Sequence, residues 1–186
     1  MAGHALARYS FRGRGTVLGL AMGALAVPGP LLLAPGYKLL HELGLLGSYA
    51  GLILPAMGPA FGVLLFRQAM MNAVPAELVE SARIDGAGEA RIFFTIALPL
   101  ARPMVGAFLM ITFLGMWNNF IGPQLVLQES ESFPLSVAIN QLRGLYGMDH
   151  GLITAGTLLS VAPPLALFLL LQREFLAGLS AGAVKG

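Results

Sequence analysis

Four stretches of this chain contain no charged residue, and each is long enough to cross a membrane. They are Gly15–Tyr37, Leu43–Phe66, Pro103–Gln128 and His150–Gln172, of 23, 24, 26 and 23 residues. At about 1.5 Å per residue a helix of 23 residues is about 34 Å long, against a hydrocarbon core of about 30 Å. The chain has 186 residues, of which 11% are charged and 56% hydrophobic. That leaves too little polar surface to cover four such helices in water. The expected fold class is therefore an all-α membrane protein with four transmembrane helices. With no Cys, the chain excludes a disulfide scaffold and a thiol enzyme. A formal net charge of +2, with no basic stripe interleaved with aromatics, argues against a nucleic-acid partner.

The charges between the stretches set the orientation. Arg8, Arg12 and Arg14 precede the first stretch, and Lys38 follows it. Arg67, Arg83, Arg91 and Arg102 follow the second, Arg143 the third, and Arg173 and Lys185 the last. Alternate sides therefore hold nine basic residues against two. The positive-inside rule puts the N-terminus, the Arg67–Arg102 loop and the tail in the cytoplasm. The Lys38–Glu42 turn and the Glu129–Asp149 loop then face outside. Arg8–Arg14 followed by an apolar run and Ala24-Leu25-Ala26 also has the pattern of a secretory signal, but the apolar run continues to Tyr37.

Within the stretches, glycines recur four apart at Gly15/Gly19/Gly23, Gly47/Gly51 and Gly58/Gly62. Such spacing allows close approach of helices, here expected within the chain, with dimerisation as the sharper alternative. Pro28, Pro30, Pro35, Pro55, Pro59, Pro123, Pro163 and Pro164 each remove a helix hydrogen bond and are expected to bend or break helices. No span carries a charge in its interior, against a proton pump or ion-coupled carrier. Thr112, Asn118, Asn119 and Gln124 in the third stretch, and Thr154, Thr157 and Ser160 in the fourth, are neutral hydrogen-bonding groups. Such groups suit a polyhydroxyl solute or, equally, contacts between helices. Thr112, Trp117, Asn118 and Asn119 are the candidate solute pathway.

The segment from Val74 to Pro99 on the cytoplasmic side is the most informative. Pro75 suits a helix start, with Glu77 and Glu80 near its positive end. Asp85-Gly86 breaks the run, and a second short helix carries Ile92, Phe93 and Ile96 on one face. Glu80-Ser81-Ala82, then Gly86, then Ile96-Ala97-Leu98-Pro99 resembles the EAA loop of ABC importer permeases. Its pattern is Glu-Ala-Ala, three residues, Gly, nine residues, Ile-x-Leu-Pro; Ser81 replaces the first Ala. With Arg83-Ile84-Asp85 and Ala87 the text is similar to the carbohydrate-uptake branch related to the smaller maltose permease membrane subunit. Ala5–Gly13, Trp117-Asn118-Asn119-Phe120 and Gly178–Gly186 extend the resemblance.

The resemblance implies a type I importer permease fold in residues 1–174, with a coupling loop at 75–99 and a cytoplasmic tail at 175–186. It implies a multi-pass protein of the bacterial inner membrane, importing a sugar or related polyol with ATP hydrolysed elsewhere. The implied partners are a second permease subunit, as a heterodimer, two ATPase subunits, an extracytoplasmic solute-binding protein and membrane lipid. The implied coupling residues are Glu80, Ser81, Ala82, Asp85, Gly86, Ala87, Ile92, Phe93, Ile96, Leu98 and Pro99. Ile92 and Phe93 are expected to offer apolar contact to the ATPase, and Glu80 to meet a basic residue. Two departures stand out. Asn119 occupies a position that is usually acidic, and four spans replace the usual six, so the chain reads as N-terminally incomplete. Met1–Ala7 then reads as the end of a preceding span. The alternative function is a non-transporting fragment with an assembly role.

No catalytic residue, cofactor site or metal site is expected. There is no phosphate-binding Gly-x-x-x-x-Gly-Lys-Ser/Thr loop. Gly178-Leu179-Ser180-Ala181-Gly182 has the letters of a nucleophile elbow but no preceding strand and no following Asp or His. His4, His41 and His150 have no metal-ligand spacing. The small side chains after Glu174 are expected to have no regular structure alone, and to lie against the ATPase subunits. In the outer loop, Glu129, Glu131, Asp149, Phe133 and Tyr146 are expected to meet the solute-binding protein.

Overall fold

The structure is a computed structural model that describes residues 1–144 and 147–183. Among the described residues the regular structure is helical apart from one short antiparallel strand pair, and the residues cluster into two units. The first comprises Met1–Val27, Gly58–Leu109 and Leu171–Gly186; the second comprises Pro28–Met57 and Met110–Leu170.

In the first unit, α1 (Ala2–Arg8) and α2 (Arg14–Ala26) lie along α5 (Ala60–Ala73). The approach of α1 is close. A β-carbon on Gly3 would stand 2.7 Å from the Arg67 amide nitrogen, so only glycine fits there. Leu6 is buried on the same side. The loop helices follow: α6 (Ala76–Ile84), α7 (Glu89–Ile92), a wide π-type turn (Phe93–Ala97) and α8 (Leu98–Leu100). The stretch Glu89–Leu100 then meets α9 (Arg102–Trp117) at 75°. Its core consists of Met70, Val74, Val79, Ile92, Phe93, Ala97 and Ala101. Each large aliphatic side chain buried from water in such a core contributes about 1.5–3 kcal/mol.

In the second unit, a 3-10 turn (Gly29–Leu32) leads into α3 (Leu33–Glu42), and Ser48 caps α4 (Tyr49–Ala56) by accepting from the Gly51 amide at 3.3 Å. Then come α10 (Ile121–Val126), α11 (Leu135–Gln141), and the antiparallel pair β1 (Arg143–Gly144) and β2 (Gly147–Met148). The last helix is α12 (His150–Ala183). Val126, Leu127 and Val137 are buried. Gly47 ties its segment to α10 by donating to the Val126 carbonyl at 2.8 Å.

Among the described residues, two helical stretches are long and apolar enough to cross a membrane, Tyr49–Ala73 with 25 residues and His150–Gly178 with 29. They correspond to the second and fourth uncharged stretches, and both continue past the charge that bounded them, Arg67 and Arg173. The other two stretches are not single straight helices. The first is interrupted at the extended residues Val27 and Pro28, where proline removes the donor a continuing helix needs. The third contains α9, a break at Asn118–Phe120, and α10. Counting each of two bent pairs, Arg14–Ala26 with Gly29–Glu42 and Glu89–Leu100 with Arg102–Trp117, as one span gives up to four among the described residues.

Pro163 and Pro164, expected to bend or break the chain, lie inside α12 without ending it. Lys38 and Glu42, expected in a turn, lie on α3 as an i,i+4 ion pair at 3.8 Å. Gly15, Gly19 and Gly23 meet nothing on their side-chain faces, so close packing within the chain is not their role among the described residues. Gly62 does serve it, under the Phe108 ring, with a β-carbon position 2.8 Å from Cζ. The sequence after Glu174, expected to lack regular structure, continues α12 through Ala183; Val184, Lys185 and Gly186 lie outside the described residues.

Candidate functional site in the 75–99 loop

Pro75 is extended and caps α6 from outside its first turn, with Glu77 in that turn. Acidic side chains there are favoured by the amide-rich helix start. Ser81 donates its hydroxyl to the Glu77 carbonyl at 2.8 Å. The end of α6 explains the fixed glycine. Ala87 donates its amide to the Ala82 carbonyl at 2.9 Å, and Gly86 donates to the Arg83 carbonyl at 3.0 Å. This closing pair is the Schellman arrangement, and it demands a left-handed residue at Gly86, whose φ is +80°. Only glycine takes that conformation without steric cost.

Beyond the turn, the helix widens over Phe93–Ala97 just ahead of Pro99. Proline has no amide hydrogen to donate into the preceding turn. The Thr95 hydroxyl donates to the Arg91 carbonyl at 2.7 Å within this stretch.

The residues of the motif divide by side. Ala82, Ala87 and Leu98 pack against the core that holds Ile92 and Phe93. Ile92 is fully buried and Phe93 nearly so, which corrects the expectation that they face a partner. They hold the loop to its own unit. The outward apolar side chains are Leu78, Ile84 and Phe94, with Ile84 87% exposed. Glu80, Asp85, Gly86 and Pro99 are exposed, and Ile96 is half-buried.

An ionic cluster bridges the turn. Arg83 Nε donates to Glu89 Oε1 at 2.7 Å, and Arg83 Nη2 donates to Oε2 at 3.3 Å. The Tyr9 hydroxyl donates to the same Oε2, and the Arg83 guanidinium lies 5.7 Å from the Tyr9 ring centroid. Hydrogen bonds from Arg83 and then Tyr9 hold the Glu89 carboxyl below its ordinary value of 4.5. Arg83 is raised by its bond to Glu89. Tyr9 is raised by burial first and then by that carboxylate. None of these three belongs to the predicted coupling set. The opposite charges of Arg83 and Glu89 around a Gly-rich turn are a readable signal; Tyr9, 80 residues away from Glu89, has none.

The candidate solute residues lie at one end of α9. Trp117 stacks on Phe113, centroids 5.5 Å apart and planes at 17°, and donates its indole N–H to the Ser160 carbonyl at 3.0 Å. Asn118 Nδ2 donates to the Leu114 carbonyl at 3.0 Å. Asn119 Oδ1 accepts from the Gly122 amide at 3.2 Å, and its carbonyl accepts from the Ser136 hydroxyl at 2.9 Å. Thr112 is five residues before Trp117, about 140° around the helix, and is not gathered with the other three. A groove beside the ring stack is lined by Phe113, Met116, Trp117, Pro134, Leu135 and Ser136. In the segment expected to face outside, Glu129 and Glu131 are exposed, and the Tyr49 hydroxyl donates to the Ser132 carbonyl at 2.9 Å. Tyr146, also expected there, lies outside the described residues.

Comparison with known proteins agrees with this reading of the fold. The chain is 39% identical over 186 residues to the arabinooligosaccharides transport system permease protein AraQ of Halalkalibacterium halodurans, covering 100% of this chain and 66% of the relative. It is 33% identical to the lactose transport system permease protein LacG of Rhizobium radiobacter, covering 100% and 67%. The chain thus spans about two thirds of the length of these relatives. A crystal structure of a bacterial ABC transporter involved in the import of the acidic polysaccharide alginate superposes with a TM-score of 0.81 at 21% identity, over 93% of this chain and 66% of that one. Residues 1–177 match the description "binding-protein-dependent transport system inner membrane component". The chain belongs to that family, the inner-membrane permease subunits of ABC importers, which are not themselves enzymes.

Proposed function

We propose that this chain forms part of the translocation pathway of a binding-protein-dependent importer, that it carries a sugar or related polyol, and that separate subunits hydrolyse the ATP. The four uncharged stretches, Gly15–Tyr37, Leu43–Phe66, Pro103–Gln128 and His150–Gln172, make one crossing each, with the 75–99 loop on the cytoplasmic side. A second permease subunit, two ATPase subunits and an extracytoplasmic solute-binding protein complete the assembly. The observation that carries the reading is the build of the loop. Its inner face is cored by Val79, Ile92, Phe93 and Ala97. Its outer face leaves Ile84, Phe94 and Glu80 exposed. A loop fastened inside and apolar outside transmits force as a lever, where a solvated connector would flex.

The solute class follows the names of the relatives, which include arabinooligosaccharides and lactose permeases. Thr112, Trp117, Asn118 and Asn119 remain the proposed pathway. The stacked rings of Phe113 and Trp117 beside a groove support a sugar, whose C–H face packs on aromatic rings. Gly86→Pro and Glu80→Lys, each in the assembled transporter, are expected to abolish solute-stimulated ATP hydrolysis while leaving membrane insertion intact. Wild-type transport by both variants would overturn the assignment of this loop as the docking element.

A further inference from the structure

We propose that Tyr9, Arg83 and Glu89 act as a clasp, making them positioning residues for coupling: they fix the two loop helices to each other and to the segment leading into α2. This rests on the reading of 75–99 as the docking loop.

The lever has one soft point. Between α6 and α7 the chain runs through Asp85-Gly86-Ala87-Gly88, and glycine restrains the backbone least of all residues. Force applied to the outer face of α6 would be lost there if the turn were free to bend. Arg83, in the last turn of α6, and Glu89, the first residue of α7, stand on either side of this point and join by two hydrogen bonds of 2.7 and 3.3 Å. The clasp therefore spans the hinge and leaves the turn little freedom to flex.

Tyr9 adds the third arm. It ends α1 in extended backbone, and α2 begins five residues later at Arg14. Its hydroxyl reaches the carboxylate that Arg83 grips, and its ring lies under the guanidinium. Two further contacts hold the same segment. Arg8 Nη2 donates to the Met70 carbonyl at 2.9 Å. The His4 ring meets Phe93 edge-on at 5.4 Å and Tyr9 at 5.9 Å. A displacement of the loop is thus handed directly to the start of α2 as well as along the chain into α9.

Stability alone does not account for the arrangement. The Arg83 and Glu89 side chains are 38% and 49% exposed, and exposed ion pairs contribute about 0–1 kcal/mol. What three mutually bonded groups supply is fixed geometry, because each donor constrains the same acceptor.

The test uses the assembled transporter with its ATPase subunits and solute-binding protein in proteoliposomes, reading solute imported per ATP hydrolysed. Arg83→Met, Glu89→Gln and Tyr9→Phe are each expected to lower that ratio at least about threefold at wild-type membrane levels. The exchange Arg83→Glu with Glu89→Arg is expected to restore the share carried by the pair, leaving a loss like that of Tyr9→Phe alone because the Tyr9 hydroxyl then has no carboxylate at position 89; general loosening of the fold would not be reversed in this way. Wild-type ratios in Arg83→Met and Glu89→Gln overturn the proposal. So does assembly failure in the single variants that the exchange does not reverse. Gly86→Pro separates the two readings: if it uncouples while the clasp variants do not, the clasp alone fails; if it too transports normally, the docking loop itself is wrongly placed.

Discussion

Trp117 donates its indole N–H to the Ser160 carbonyl at 3.0 Å, and that carbonyl is the one Pro164 leaves without a helix partner. Proline has no amide hydrogen, so the oxygen four residues before it lacks its usual donor. Ser160 is four residues before Pro164, and the indole supplies what the backbone cannot. This explains how α12 runs through Pro163-Pro164 unbroken at this carbonyl, and it gives Trp117 a structural duty beside the proposed pathway role.

The pair makes a sharp double-variant test. Trp117→Phe keeps the ring stack with Phe113 and removes the donor. It is expected to lower stability by about 1 kcal/mol. In a Pro164→Ala background the backbone amide returns, and the same change is expected to cost little. Equal costs in both backgrounds, measured by thermal unfolding in detergent, would show that the indole is not replacing the missing amide.

The crossing of α9 and the end of α12 in the first unit has no spare room. A β-carbon on Gly178 would stand 2.7 Å from the Pro103 carbonyl oxygen and 2.9 Å from the Ala107 β-carbon, and one on Gly106 would overlap Glu174. Arg102 Nη2 joins Glu174 Oε1 at 3.1 Å beside the contact. Gly178→Ala is therefore expected to destabilise by about 1–3 kcal/mol. Gly115→Ala, at a position on α9 with open space around it, is expected to stabilise by about 0.5–1 kcal/mol. Thermal unfolding of the two variants checks the contrast; equal shifts would place the crossing elsewhere.

The Glu89 carboxyl carries a pH dependence of defined sign. Its folded value lies below 4.5 because Arg83 and Tyr9 bond the charged form. Its stabilisation is present above 4.5 and disappears as pH falls through the lowered folded value. The difference in melting temperature between wild type and Glu89→Gln should therefore be constant from pH 6 to 8 and shrink toward zero in acid. A difference unchanged down to about pH 3 would remove the charged carboxylate from the clasp.

The segment Glu129–Asp149 is expected to meet the solute-binding protein. Glu129 and Glu131 are exposed next to a loop anchored by Tyr49 on Ser132, so probes there sit on a fixed backbone. Photo-crosslinkers at these two positions should capture the solute-binding protein in the presence of solute. Capture confined to probes within Lys38–Gly47 would move the contact to that segment.

Charge spacing by itself determined that this chain is a helical membrane protein, because ionised side chains are costly in hydrocarbon and their gaps measure out helices of spanning length. The turn at Gly86 was equally legible, since a short polar break with glycine at the end of a helix has few conformations available. Only the tertiary structure decided which loop residues face inward. A helical period groups Ile92 and Phe93 on one face apart from Phe94, but it does not say whether that face turns to a partner or to the chain's own core; packing against Met70, Val74 and Val79 decided that it is buried, and Phe94 is not. The same holds for partners far apart in the chain. Nothing in the neighbourhood of Tyr9 names Glu89, and nothing near Trp117 names Ser160. Each pair exists because packed helices bring a donor to an acceptor left open, the Glu89 carboxylate in one case and the carbonyl freed by Pro164 in the other.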